Sequence, residues 1–116
     1  MTRDPDCLFC KIFAREIQAD EVQRSDDALV FRDRNPQAPD HVLVIPARHA
    51  ANLGDFVAQA EPREVGDLLA LASNVGRRFG AQGYRIVVNE GPHGGQTVHH
   101  LHLHVLAGRR MTWPPG

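Results

Sequence analysis

The sequence predicts an α+β fold in which an antiparallel sheet of about five strands carries one long helix and a short N-terminal helix. Two patterns predict this class: short apolar runs bounded by turn residues, and one longer segment whose apolar residues recur at helical spacing. A chain of 116 residues has the usual size of one domain. We therefore expect residues 1–116 to form a single domain.

The element order is predicted to begin with a short helix and two strands. The helix should pack its apolar face on the sheet and end before segment 21–25; its apolar residues are Leu8, Phe9, Ile12 and Phe13. Residues 28–33 and 41–45 are apolar, β-branched or aromatic runs, separated by the proline-containing loop 35–39. Each run predicts a strand, and the two should pair antiparallel.

The long helix is predicted over residues 61–79. Its apolar stripe consists of Val65, Leu68, Leu69, Ala72, Val75 and Phe79. Pro62 suits the first helical turn and Gly80 suits the end of the helix. This helix should lie on one side of the sheet.

Histidine alternates with aliphatic residues in the last predicted strand. Strands are expected over residues 84–89 and 98–107, with the glycine-rich loop 90–97 between them. Because strand side chains alternate between two faces, three histidines should share one face opposite three core residues: His100, His102 and His104 opposite Leu101, Leu103 and Val105. A shift by one residue would bury three imidazoles in the apolar core, so the register is fixed. Packing does not explain such a row, which predicts a functional site.

Two kinds of site fit a row of imidazoles. Three imidazoles can hold a catalytic zinc ion. The preceding loop favours a phosphate site instead, because Gly94 and Gly95 let the backbone approach a ligand and are followed by the donors Gln96 and Thr97. Phosphate beside imidazole predicts phosphoryl chemistry.

Charge and hydropathy restrict the partners. With 13 Lys and Arg against 14 Asp and Glu, the net charge is -1, so we expect no binding of a nucleic acid polymer through a basic field. No apolar tract reaches the ~20 residues that span a bilayer, and we expect no membrane contact. The first residues lack an apolar signal core, which predicts a cytoplasmic location.

Both cysteines, Cys7 and Cys10, fall in one C-x-x-C motif. In a reducing compartment this spacing is typical of metal binding or redox chemistry rather than of a structural disulfide. A thioredoxin-like role is disfavoured, because the βαβ pattern that surrounds such a motif is missing from the sequence.

Taken together, these motifs resemble the histidine triad (HIT) family, and most closely its Hint branch of nucleotide-binding phosphoramidases. The resemblance extends beyond the three histidines through segments 9–12, 31–33, 36–39, 44–46, 87–91, 94–96 and 113–116. It implies a HIT-like fold whose sheet continues across a homodimer. It also implies hydrolysis of purine nucleoside 5′-phosphoramidates, of the adenosine 5′-monophosphoramidase type, with release of the nucleoside monophosphate. The alternatives are a dinucleoside polyphosphate hydrolase of the same superfamily and a nucleotide-sensing or interaction module without turnover.

The resemblance assigns a role to each candidate site residue. His102 is the nucleophile that forms a covalent nucleotidyl-histidine intermediate, supported by the other histidines of the array, His100, His104 and His41. The residues implied to hold the phosphate with His104 are Asn89, Gly95, Gln96 and Thr97. The residues implied to bind the nucleoside are Phe9, Ile12 and Phe31 at the base and Asp33 at the ribose, with Trp113 near the site of the other subunit. Core packing for the apolar residues and turn capping for Asp33 are the alternative interpretations.

The resemblance also implies a structural zinc site and shows two departures. Zinc-bearing relatives complete the cysteine pair with two histidines, which here gives the ligands Cys7, Cys10, His49 and His100. Arg34 stands where the Hint branch commonly has an aliphatic residue against the base, so base preference is left open. Thr97 stands where serine is frequent, and its hydroxyl can make the same hydrogen bonds.

Overall fold

In a computed structural model that describes residues 2–116, the chain forms four helices and a five-stranded antiparallel sheet. The elements in chain order are α1 (Leu8–Phe13), β1 (Glu21–Arg24), β2 (Ala28–Arg32), β3 (Asp40–Pro46), α2 (Leu53–Gln59), α3 (Pro62–Phe79), β4 (Tyr84–Val88), α4 (Gly91–Gly94) and β5 (Leu103–Ala107). The strand order across the sheet is β1-β2-β3-β5-β4, and every neighbouring pair is antiparallel. The predicted α+β class is confirmed.

The two faces of the sheet are covered by different helices. α3 packs on one face, where its residues Leu68, Ala72 and Val75 join the larger core cluster. α1 packs on the other face, where Phe9 and Ile12 contact apolar side chains of β2 and β3. The predictions that the long helix lies on one side and that the N-terminal helix packs on the sheet are both confirmed.

α3 begins and ends where its sequence signals predict. Pro62 is its first residue, the preceding Glu61 and Glu64 form a reciprocal capping box, and Gly80 is the C-cap. The predicted apolar stripe was wrong at Leu69, which is 54% exposed, whereas Leu71 is buried. Successive helical residues are rotated by about 100°, so a residue directly after Leu68 turns away from the face that meets the sheet.

A partly buried ion pair joins the segment after β3 to α3. Arg48 donates from Nε and Nη2 to the two carboxylate oxygens of Glu64, at 3.0 and 2.8 Å. The Arg48 guanidinium lowers the pKa of Glu64, a residue that is only 4% exposed. The pair therefore holds the backbone on either side of Arg48, including His49, close to the N-terminus of α3.

The histidine-bearing strand is shorter than the sequence predicts. The alternating pattern predicts a strand over residues 98–107, but β5 begins at Leu103, so His100 and His102 lie before it. The physical reason is that both neighbouring strands stop pairing at Leu103, whose partner on β3 is Val44. Of the three histidines, only His104 belongs to the regular strand.

The chain before β5 nevertheless keeps the predicted alternation. Its backbone bonds to the segment after β3 and not to a neighbouring strand: the Leu101 N–H donates to the carbonyl of Ala50 at 2.8 Å. Leu101, Leu103 and Val105 are each 1% exposed and belong to the same core cluster. Burial of these aliphatic residues therefore fixes the orientation of the histidines between them even where ladder hydrogen bonds have ended.

Two short helices were not predicted. α2 begins after Asn52, whose side chain accepts the Asp55 N–H at 2.8 Å, and it buries Phe56. α4 lies inside the predicted loop 90–97, and its C-cap is Gly95, whose φ of 81° is a left-handed conformation that favours glycine. None of the helices in residues 2–116 combines the length and the hydropathy that crossing a membrane requires.

Candidate active site

A cavity of about 1020 Å³ lies between α1 and the sheet face that α1 covers. Seven of the predicted site residues line it: Phe9, Ile12, Phe31, Asp33, Thr97, His102 and His104. Arg34 lines it as well. Leu43 was missed by sequence reasoning, although it pairs with Phe31 across β2 and β3 and so shares its face.

The tautomer of His102 is set by the backbone carbonyl two residues before it. Nδ1 of His102 lies 2.8 Å from the carbonyl oxygen of His100. Because a carbonyl only accepts hydrogen bonds, Nδ1 carries the proton, and the neutral ring keeps a lone pair on Nε2. Phe9 packs edge-on against the ring, with centroids 5.2 Å apart. His102 is therefore a buried imidazole in the cavity wall, held in the tautomer that leaves the lone pair on Nε2.

A chain of hydrogen bonds fixes the tautomer of His104. The Gln37 N–H donates to Nδ1 of His41 at 3.0 Å, so the proton of neutral His41 is on Nε2. That nitrogen lies 2.9 Å from Nδ1 of His104 and 3.5 Å from a carboxylate oxygen of Asp33. Nδ1 of His104 therefore accepts, and its Nε2–H is left as a donor.

Burial keeps both rings of this chain neutral near neutral pH. It lowers the pKa of His104 to about 4, and it lowers the pKa of His41 against the opposing effect of Asp33. Ligand atoms of Asp33, His41 and His104 all lie within 4.8 Å of one another. The hydrogen bond from His41 Nε2 to His104 Nδ1 accounts for their separation of 2.9 Å without a metal ion.

A second group of side chains has the composition of a zinc site. We name Cys7, Cys10, His49 and His100 the Cys/His cluster; their ligand atoms all lie within 4.8 Å of one another. Nδ1 of His100 is 3.3 Å from Cys7 Sγ, 3.6 Å from Cys10 Sγ and 3.2 Å from Nδ1 of His49. Ligands bonded to a tetrahedral zinc ion at 2.0–2.3 Å are roughly 3.3 to 3.8 Å apart, and the observed separations lie within or close to that range.

The protonation of His100 also suits a metal ligand. Its Nε2 lies 3.0 Å from the Pro46 carbonyl, so Nε2 carries the proton and Nδ1 faces the cluster with its lone pair. Burial lowers the pKa of His100 to about 4, which keeps the ring neutral. The structure thus brings together the four residues that the family resemblance implied as zinc ligands.

The three histidines of the motif do not form one metal site. His100 belongs to the Cys/His cluster and His104 to the group with His41 and Asp33, while His102 belongs to neither group among residues 2–116. The sequence-level alternative of a catalytic zinc held by all three is therefore not supported by their positions. Within residues 2–116 every strand pair is antiparallel, which differs from the βαβ surroundings of a thioredoxin-like motif.

Four of the predicted substrate-binding residues do not line the cavity within one chain: Asn89, Gly95, Gln96 and Trp113. The Gln96 side chain donates to the Ala51 and Val98 carbonyls at 2.6 and 3.0 Å, and its backbone N–H donates to Gly91. These bonds hold the loop in shape beside Thr97. Trp113 is 83% exposed, and a role at the site of another subunit stays a prediction.

Comparison with known proteins gives the family. A family model for the HIT domain matches residues 14–111. The chain is 44% identical over 117 residues to a 14 kDa zinc-binding protein of Zea mays, covering 97% of this chain and 90% of that protein. It is 43% identical over 117 residues to the adenylylsulfatase HINT1 of Arabidopsis thaliana, covering 97% and 78% respectively.

A solved structure shows the same fold. The crystal structure of a HIT family hydrolase from Legionella pneumophila Philadelphia 1 superposes with a TM-score of 0.90 at 45% sequence identity, covering 96% of this chain and all of that one. The chain therefore belongs to the HIT domain family, as its histidine motif predicted.

Proposed function

We propose that this protein hydrolyses nucleoside 5′-phosphate derivatives at the α-phosphorus, with adenosine 5′-phosphoramidates as the substrate class and His102 as the nucleophile. The observation that carries the proposal is the 2.8 Å bond from His102 Nδ1 to the His100 carbonyl, which leaves Nε2 with its lone pair in the cavity wall. Two relatives with hydrolytic names, the adenylylsulfatase and the HIT family hydrolase, support it.

The reaction has two displacements at phosphorus. Nε2 of His102 forms a bond to the α-phosphorus while the bond from phosphorus to the leaving amine breaks, and the amine departs with one proton taken from solvent. Water then attacks the same phosphorus, the bond to Nε2 breaks, and one proton returns to solvent. The intermediate carries its positive charge on the His102 ring, whose Nδ1–H remains bonded to the His100 carbonyl.

The other cavity residues would orient the substrate. The Nε2–H of His104 is a neutral donor for a phosphate oxygen, held by His41. The apolar walls at Phe9 and Phe31, whose rings meet edge to face at 5.7 Å, suit a purine base. The Asp33 carboxylate is 20% exposed at the cavity wall and can accept hydrogen bonds from ribose hydroxyls.

The Cys/His cluster is proposed to hold a structural zinc ion. Its donor set and separations fit tetrahedral coordination, and the maize relative is named for zinc binding. A bound ion would join α1, through its two cysteines, to the segments that carry His49 and His100. Thiolate ligands persist in a reducing compartment, which agrees with the proposed cytoplasmic location.

A panel of substrates tests the proposed function. AMP release should be measured from adenosine 5′-phosphoramidate, adenylyl sulfate and a diadenosine polyphosphate. We expect the phosphoramidate to have the highest kcat/KM by at least about tenfold, a difference of roughly 1.4 kcal/mol in transition-state free energy. A diadenosine polyphosphate as the best substrate would favour the alternative activity, that of a dinucleoside polyphosphate hydrolase. AMP binding without release from any of the three would point to a nucleotide-sensing module and against a hydrolase.

We also propose that the protein is a homodimer. β4 is an edge strand, and an unpaired edge needs a partner or a cover. Leu69 on α3 and Trp113 near the C-terminus are large apolar side chains, 54% and 83% exposed. Sedimentation equilibrium at micromolar concentration should give the mass of two chains, and Leu69→Glu should reduce it towards one. A wild-type protein that sediments as a single chain would contradict the proposal.

A further inference from the structure

We infer that the Cys/His cluster is a positioning device for the nucleophile: its metal holds His102 in the reactive tautomer. The inference rests on the proposed zinc site and on His102 as the attacking group. It goes further by assigning Cys7, Cys10 and His49, which do not line the cavity, a measurable effect on the turnover step. Two separate contacts connect the cluster to His102.

The first contact is through His100, whose ring belongs to the cluster and whose backbone carbonyl bonds to His102. Its ring nitrogen Nδ1 lies in the cluster, 3.3 Å from Cys7 Sγ and 3.2 Å from His49 Nδ1, and its other nitrogen bonds to the Pro46 carbonyl. Its own carbonyl accepts the proton of His102 Nδ1 at 2.8 Å. The His100 side chain is fully buried. Fixing its ring therefore also fixes the carbonyl that selects the His102 tautomer.

The geometry of the cluster also favours a cation beside His100. Nδ1 of His100 and Nδ1 of His49 are 3.2 Å apart, and the Pro46 contact leaves Nδ1 of His100 without a proton. Two ring nitrogens at this separation are stable with a cation or a proton between them, and repel when both present lone pairs. Without the metal, only a proton on His49 or on a cysteine thiol can bridge these contacts, and the His100 ring and the backbone around it are less constrained.

The second contact is through α1. Cys7 is the N-cap of this helix and Cys10 lies within it, so the motif brackets Phe9. The Phe9 ring packs edge-on against His102 at 5.2 Å and against His100 at 5.9 Å. A helix of six residues has little stability of its own. Metal bound by its two cysteines would hold α1, and with it the aromatic wall against the nucleophile.

The expected consequence is a change in turnover rather than in nucleotide binding. If the His100 carbonyl moves, the His102 proton is free to occupy Nε2, and a protonated Nε2 has no lone pair with which to attack phosphorus. Of the groups proposed to bind the nucleotide, Asp33 and Thr97 lie outside the cluster, whereas Phe9 lies between its two cysteines. Loss of the metal should therefore act mainly on kcat, with a smaller effect on the Kd for AMP through Phe9.

The test compares zinc-loaded wild type, chelator-treated wild type and His49→Ala, which removes one cluster ligand outside α1 and the histidine motif. Leu71→Ala is the matched control, because it removes buried side-chain volume on α3, away from the cluster. Imidazole nitrogen NMR reports the tautomer of His102, calorimetry gives the Kd for AMP, and circular dichroism confirms that each protein is folded.

We expect the zinc-loaded wild type and Leu71→Ala to hold His102 as the Nδ1–H tautomer. Metal-free wild type and His49→Ala should show a mixture of tautomers and a kcat lower by about tenfold or more, with the Kd for AMP changed by less than about threefold. Zinc should restore the wild type only. An unchanged tautomer and kcat without zinc would overturn the inference, and so would equal changes in Leu71→Ala.

Two further outcomes distinguish a failure of this inference from a failure of the two proposals on which it rests, the zinc site and the hydrolase activity. Less than a tenth of an equivalent of zinc in protein purified without chelator would refute the metal site and the inference together. A His102 tautomer that responds to zinc in a protein that releases no AMP from any substrate would refute the hydrolase proposal, while the coupling between cluster and ring would stand.

Discussion

Replacement of His102 by alanine is expected to lower kcat for AMP release from adenosine 5′-phosphoramidate by at least about a thousandfold. The variant has no group that can form the covalent intermediate, and water would have to attack phosphorus directly. The cavity walls that should bind the nucleotide are unchanged, so the Kd for AMP should stay within about threefold of the wild-type value. Single-turnover kinetics and calorimetric titration with AMP measure the two quantities.

A neighbouring histidine provides the control for this experiment. His99 is exposed and does not line the cavity, so His99→Ala removes an imidazole from the same segment without touching the cavity. It should keep nearly wild-type kcat. If His102→Ala keeps more than about a tenth of the wild-type kcat, the nucleophile has been assigned to the wrong residue.

The second large effect is expected on stability when the metal is lost. An ion present at about 1,000 times its Kd stabilises the folded state by roughly 4 kcal/mol. In a domain of about 100 residues, each kcal/mol changes Tm by roughly 4 °C or more. The double variant Cys7→Ser, Cys10→Ser should therefore melt roughly 15 °C below the zinc-loaded wild type, as measured by circular dichroism.

Treatment with a chelator distinguishes the effect of metal loss on Tm from the effect of replacing the two cysteines. The wild type treated with a chelator should melt close to the double variant, while the variant itself should not respond to the chelator. A wild-type Tm that chelation leaves unchanged, in protein shown to contain zinc beforehand, would contradict a structural role for the ion.

The fold could be predicted where burial alone decides the pattern. The alternation of aliphatic and polar residues gave the face of Leu101, Leu103 and Val105 correctly, because burial of one face leaves only one register. The start of β5 could not be predicted in this way. Where a strand ends depends on its neighbours, and both β3 and β4 cease to pair at Leu103.

Helical periodicity has a similar limit. It located α3 and its ends, but it did not distinguish Leu69 from Leu71, since the exposed position depends on how the helix is rotated on the sheet. α2 was missed because only Phe56 among its residues is buried, so it carries no apolar stripe. Its one local signal was the N-cap residue Asn52.

The candidate site shows what sequence reasoning supplies and what it leaves out. Residue types and the family resemblance singled out the Cys/His cluster and the histidines, and the structure brings each group together. The tautomers depend on individual backbone groups, namely the Gln37 N–H and the His100 and Pro46 carbonyls. No sequence pattern encodes these contacts. Each is made by a backbone group, and it depends on where the folded chain passes the imidazole ring and not on the type of residue.

Rapid quench of the wild-type protein during turnover, followed by peptide mass mapping, tests the central claim most directly. We predict one nucleotidyl group on the peptide that contains His102, present within the first turnover and lost at the rate of AMP release. The adduct should be missing from His102→Ala. Turnover with no adduct in any peptide, or with the adduct on another side chain, would contradict the proposed mechanism.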